Sequence, residues 1–189
     1  MIGVAIGGSA GALEALHDLL APIPATVNAV FLVVVHISPS NESLLAQVLA
    51  NYTSMRVREA VDKLPLATRT VVVAPPDYHM LVETDLTIAL SRDRPEHFSR
   101  PALDPLFDTF AIAFARRGYG ILLSGGNADG AAGLAAIHAA GGKTAVQEPG
   151  ASTSPEMPRA GLALITPTFR GNATAIGRWL ATELAGGAR

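Results

Sequence analysis

The sequence predicts an α/β domain of the doubly wound, three-layer kind, with a mostly parallel sheet and an appended antiparallel hairpin. Two apolar runs, 2–6 and 29–35, show no alternation, as expected of central parallel strands covered on both faces. Each precedes a segment with helical spacing of apolar residues, beginning with Leu13, Leu16, Leu19 and Leu20. Two glycine-rich stretches, Gly7-Gly8-Ser9-Ala10-Gly11 and Ser124-Gly125-Gly126-Asn127-Ala128-Asp129-Gly130, fall where a strand should turn into a helix. A chain of 189 residues, 49% hydrophobic and 16% charged, suits one well-buried domain over 1–189.

In chain order, the first strand, the first glycine-rich turn and the first helix lead past Pro22 and Pro24 to the strand at 29–35, which ends at His36. Turn and cap residues at 37–41 then introduce a helix carrying Leu44, Leu45, Val48 and Leu49. Short strands are expected at 57–60, 70–74, 79–82 and 86–90, and their tight connections suggest an antiparallel patch. Residues 91–100 read as a polar surface loop. Asp104-Pro105 offers an N-cap with proline at the first helical position. Leu106, Phe107, Phe110 and Phe114 supply the buried stripe of that helix. Strands follow at 119–123 and 143–146, an edge strand at 162–165, and a final helix capped by Asn172.

Right-handed crossovers put the ends of the parallel strands on one sheet edge, so Ser9 and His36 become plausible neighbours, with Asp129 after another strand of the same sheet. A hydroxyl nucleophile needs a base within reach, and the base needs an acceptor to fix its tautomer; serine, histidine and aspartate supply those roles. Backbone amides near Ala10 and in the Gly125-Gly126 turn could hold a developing oxyanion. Each residue also has a plainer reading. Ser9 and Asp129 precede helices and could be N-caps, and His36 could simply end a strand. Their coincidence on the edge where open α/β sheets bind ligands favours a triad. The order Ser, His, Asp differs from that of α/β-hydrolases, so the elbow-like turn does not import that fold. His79 reads as structural, and His17, His97 and His138 as surface residues. Arg100 could orient an acidic substrate, and Met157 could line a cleft.

Several ordered motifs resemble the methylesterase domain of the chemotaxis protein CheB. They are Ile6-Gly7-Gly8-Ser9-Ala10-Gly11, Val35-His36-Ile37-Ser38-Pro39, Ala74-Pro75-Pro76-Asp77-Tyr78-His79-Met80, Arg100-Pro101-Ala102-Leu103-Asp104-Pro105-Leu106-Phe107, the stretch from Leu123 through Asp129 to Gly133, and Met157-Pro158-Arg159. The resemblance implies hydrolysis of glutamate γ-methyl esters, and possibly glutamine deamidation, on the cytoplasmic helices of methyl-accepting chemoreceptors. It implies Ser9 as nucleophile, His36 as base and Asp129 as orienting acid, and neither metal nor organic cofactor; the oxyanion donors read from the turns are the backbone amides of Ala10 and Gly126. The chain departs from the family pattern at Gly126-Asn127, where methionine and glycine are usual, at Ala12 in place of a second glycine, and at Ala10, where threonine is frequent. Family members commonly carry an N-terminal receiver domain. This chain starts at the first catalytic-domain strand, so either the receiver domain was removed from a longer protein or the regulator is expected to be separate or different.

Composition excludes other classes. The absence of cysteine removes disulfides, thiol catalysis and thiolate metal sites. A net charge of −2 gives no overall field for nucleic acid. No apolar run approaches the ~20 residues of a membrane helix, and no basic region precedes the first strand, so a cytoplasmic protein without direct membrane insertion is expected. Neither G-x-G-x-x-G nor a P-loop lysine supports nucleotide binding. The remaining alternative is a catalytically inactive domain of the same fold that binds a receptor or signalling partner.

Overall fold

The computed structural model describes residues 1–36 and 44–186. The chain runs β1 (Ile2–Gly8), α1 (Ala12–Leu20), β2 (Ala29–Val35), α2 (Leu45–Ala50), β3 (Arg56–Glu59) and β4 (Thr70–Val73). It continues with β5 (His79–Val82), β6 (Ile88–Ser91), α3 (Leu103–Phe114), β7 (Gly118–Leu122) and α4 (Ala131–Ala139). It closes with β8 (Lys143–Gln147), α5 (Glu156–Leu164), β9 (Phe169–Gly171) and α6 (Ala173–Gly186).

Seven strands form one sheet in the order β3-β4-β2-β1-β7-β8-β9, and every pairing within it is parallel. The buried runs at 2–8 and 29–35 are its centre, as their unbroken hydrophobicity predicts. One face carries a core of Leu16, Leu19, Phe31 and Leu49 with Ile176 and Leu180, packing α1, α2 and α6. The other carries Leu103, Phe107, Phe110, Leu134 and Met157, packing α3, α4 and α5. This is the expected three-layer arrangement. Moving outward from β1, the chain passes to β2 and β4 on one side and then returns to β7 on the other. β1 therefore lies at the topological switch point, where open sheets hold ligands beyond the carboxyl ends of their strands.

Three local expectations change. The segments at 57–60 and 70–74 join the main sheet as parallel β3 and β4; among the named strands of the described residues, β5 and β6 alone pair antiparallel. Residues 63–66 run back along β6, through Leu66 N–H to Leu86 carbonyl at 2.9 Å and Ile88 N–H to Leu64 carbonyl at 2.9 Å. The antiparallel patch thus consists of this return segment and the hairpin. The segment at 162–165 is not a strand. It ends α5, whose buried Met157, Pro158 and Gly161 fall on one helical face, and the edge strand is β9. Short apolar runs do not separate these alternatives by period. Finally, α3 begins at Leu103 with Ala102 as N-cap, so Asp104 lies inside the first turn. Asn172 does cap α6, its Oδ1 accepting the Ala175 amide at 2.8 Å. The turn expected at 37–41 lies outside the described residues. Among the described residues, no helix is long and apolar enough to cross a membrane.

Candidate active site

Sheet register brings the chemically interesting residues together. Gly8 of β1 pairs with Val35 of β2, so Ser9 and His36 each stand one residue beyond paired positions on adjacent strands. The His36 amide continues the ladder to the Gly8 carbonyl at 3.2 Å. On the opposite side of β1, the Ser9 amide donates to the Ser124 carbonyl at 2.8 Å. Ser9 is thereby tied between the ends of β2 and β7.

The turn after β1 depends on Gly11. Its φ of 79° is left-handed, and a Cβ there would lie 2.5 Å from Thr153 Cβ and 3.0 Å from Ser124 Oγ. Glycine alone meets both demands. Gly11, not Ser9, is the N-cap of α1, and no side chain caps that helix. The same holds at α4, where Gly130 with φ 83° is the N-cap and Asp129 is released from capping. The plainer readings of Ser9 and Asp129 as helix caps therefore do not hold. Among the described residues, the Ser9 hydroxyl has no hydrogen-bond partner.

His36 Nε2–H donates to Asp129 Oδ2 at 2.7 Å, leaving Nδ1 as the ring atom for another partner. Asp129 has no exposed surface. Its carboxylate also accepts the Leu103 amide at 2.7 Å and the Asp104 amide at 3.0 Å, both from the first turn of α3. Burial alone would raise its pKa, but the His36 hydrogen bond and the two amides outweigh burial and hold it below the ordinary carboxylate value. The acid is thus kept ionised beside the imidazole.

Ser124, a turn residue by its sequence setting, fastens the site. Its buried Oγ donates to the Ala10 carbonyl at 2.6 Å and accepts the Ser154 amide at 2.9 Å. The Gly125 amide is used by the Ser154 carbonyl at 3.0 Å. Among the described residues, the amides of Ala10 and Gly126 carry no hydrogen bond. Gly126 has open space where a side chain would begin. Asn127 avoids positive φ, and its Oδ1 accepts the Asp129 amide at 3.1 Å. The departure from the expected motif is therefore accommodated by an Asx-type turn.

Two expected substrate contacts are placed differently. Met157 has no exposed surface and packs beneath Gly125, where a Cβ would meet its Cε at 2.5 Å. It supports the turn instead of lining a cleft. The Arg100 guanidinium reaches Asp77 Oδ1 at 2.5 Å and the carbonyls of Arg92 and Asp93 at 3.1 and 2.9 Å, while Arg92 pairs with Asp77 from outside. These two arginines lower the Asp77 pKa by hydrogen bonding. Arg100 is spent on shaping the loop. His79 is structural, as expected: it is buried, with the Ala102 amide donating to Nδ1 at 3.2 Å and Nε2–H donating to the Arg94 carbonyl at 3.1 Å.

Asp104 is the residue the sequence reading missed. Its Oδ1 accepts the Gly133 amide of α4 at 2.7 Å, and His97 Nε2 lies 3.4 Å from Oδ2. Burial raises its pKa; the Gly133 amide pulls back, the charge of Asp129 adds to the rise, and His97 counters it. One ligand atom each from His97, Asp104 and Asp129 lies within 4.8 Å of the others, a spacing that could hold a metal ion. The hydrogen bonds just described already occupy both carboxylates.

Comparison with known proteins shows the family. The family model for CheB methylesterase matches residues 4–179. A Leptospira interrogans protein provisionally named protein-glutamate methylesterase/protein-glutamine glutaminase is 33% identical over 84% of this chain and 82% of its own. A Symbiobacterium thermophilum protein of the same name is 38% identical over 82% of this chain, which spans only 43% of that protein. The crystal structure of the Thermotoga maritima CheB methylesterase catalytic domain shares the fold at TM-score 0.90 and 24% identity, over 96% of this chain and 98% of that one. From strand order to motif, the chain belongs to the CheB methylesterase family.

Proposed function

We propose that the protein hydrolyses γ-glutamyl methyl esters, and deamidates glutamines, on the cytoplasmic helices of methyl-accepting chemoreceptors, working in the cytoplasm. The observation that carries this reading is the buried Asp129 held ionised against His36 at 2.7 Å, with Ser9 in register beside His36. In this mechanism the Ser9 hydroxyl attacks the ester carbonyl while His36 Nδ1 takes its proton. Asp129 fixes the opposite tautomer and stabilises the imidazolium. The amides of Ala10 and Gly126 receive the tetrahedral oxyanion. Collapse breaks the carbon–oxygen bond to the methoxy group, which leaves as methanol with the proton from His36. Water, deprotonated by His36, then attacks the acyl-enzyme and releases glutamate and Ser9. With glutamine the leaving group is ammonia. No cofactor enters any step.

The test is methanol release from a methylated receptor fragment, comparing the parent with Ser9→Ala. A fall on the order of 10⁴-fold or more is expected, the scale of losing a serine nucleophile. Equal release from both proteins would remove Ser9 from the mechanism, and no release from a folded parent would favour the inactive, partner-binding alternative.

A further inference from the structure

The loop between β6 and α3 carries a tight hairpin that the catalytic scheme does not use. Glu96 and Ser99 exchange both main-chain hydrogen bonds, at 3.1 and 2.8 Å, around a two-residue turn. His97 and Phe98 occupy it with φ of 47° and 62°. Both central positions are left-handed, a geometry that favours Asn-Gly and is unfavourable for an aromatic residue. The Phe98 ring gains nothing inside the fold in return. It is fully exposed at 105%, against 38–73% for the other exposed large hydrophobics among the described residues.

The hairpin is held on several sides. Arg100 clamps its base to Asp77 and to the Arg92 and Asp93 carbonyls. His79 binds the Arg94 carbonyl. His97, the residue next to Phe98, reaches Asp104 at 3.4 Å, within a cluster that includes Asp129. Phe98 is therefore an exposed aromatic residue on a hairpin braced at several points, next in sequence to His97, whose ring reaches the carboxylate cluster that includes Asp129. Exposed aromatic residues on preorganised supports are the usual anchors of protein recognition.

Resting on the proposed function, we infer that Phe98 is the docking anchor for the protein substrate, packing against the apolar side of the receptor helix whose acidic side presents the glutamyl ester. A small ester reaches Ser9 without that contact, whereas a receptor helix must lie across the edge of the site. The residue thus sets specificity for a helical protein substrate and takes no part in bond breaking.

The test compares the parent with Phe98→Gly on a methylated receptor cytoplasmic fragment and on p-nitrophenyl acetate, with thermal unfolding alongside. Glycine suits the left-handed position, so the variant should unfold at the same temperature or higher. Its kcat/KM on the receptor should fall by roughly 10- to 30-fold, the scale of an interface hot spot, mainly through KM. Turnover of p-nitrophenyl acetate should stay within about 2-fold, and Phe98→Tyr should restore most of the receptor activity. Equal losses on both substrates, a lower unfolding temperature, or undiminished receptor turnover would each overturn the inference. Binding of the same fragment to Ser9→Ala, with and without Phe98→Gly, separates this inference from the esterase reading. An inactive parent whose binding depends on Phe98 would refute the esterase and leave the anchor standing. Binding that is absent or independent of Phe98 would refute the anchor.

Discussion

Two aspartates at neighbouring helix starts, Asp129 before α4 and Asp104 in the first turn of α3, are both buried, yet their ionisation is pushed in opposite directions. Asp129 faces three donors: the His36 ring and the amides of Leu103 and Asp104. Asp104 has one amide, from Gly133, a more distant His97 and the repulsion of Asp129 itself. The difference teaches that burial does not decide the charge of an acid; the number and closeness of its donors do. It also separates roles. Asp129 is equipped to sustain a positive imidazole, whereas Asp104 joins α3 to α4 and lends its own amide to Asp129.

The widest break in this comparison is expected from Asp129→Asn. It should lower methanol release by about 10⁴-fold, as when a triad acid loses the ability to hold its histidine in the working tautomer. Asp104→Asn, measured in the same assay, should lose less than about 10-fold, since an amide oxygen can still accept from Gly133. Similar losses in the two variants would erase the distinction.

Stability offers a smaller contrast. Asp104→Ala leaves the buried Gly133 amide without its acceptor and should cost about 1–3 kcal/mol in urea unfolding. Asp104→Asn keeps that acceptor and should lie within about 1 kcal/mol of the parent, on the stabilised side at neutral pH. Its advantage depends on pH. A carboxyl whose folded pKa is raised is penalised only when ionised, so the gain should vanish below the unfolded value near ~4, grow as pH rises through the raised folded pKa, and then level off. Asp129 acts with the opposite sign. Its lowered pKa stabilises the fold above the unfolded value, and that contribution is lost as pH falls through the folded pKa. Urea midpoints for the parent and Asp104→Asn between pH 3 and 8 check the Asp104 direction; a constant offset would contradict it.

The central strands were legible because residues 2–6 and 29–35 are apolar without alternation. Ser9, His36 and Asp129 could be placed on one edge because parallel crossovers leave little freedom there. Asp104 was not legible. An aspartate followed by proline looks locally like a cap, and only the packing of α3 on α4 turns its side chain to Gly133. The contacts of Arg100 and Met157 were hidden for a related reason: a basic or flexible residue in a loop motif suggests a substrate contact, while its partners Asp77 and Gly125 are remote in sequence. The exchange of strand for helix at 162–165 reflects a segment too short to display its period.

The seam between β1 and β7 also has a temporal meaning. Ser124 Oγ meets the Ala10 carbonyl across 114 positions of chain, and His36 meets Asp129 across 93. Such distant partners carry a larger loop-closure entropy, which must be met before the contacts can reward it. A growing chain that has reached only β4 holds Ser9 and His36 but neither their acid nor the serine that fastens the turn. The candidate site is complete only once β7 lies beside β1, so hydrolysis followed during refolding should appear no earlier than that pairing.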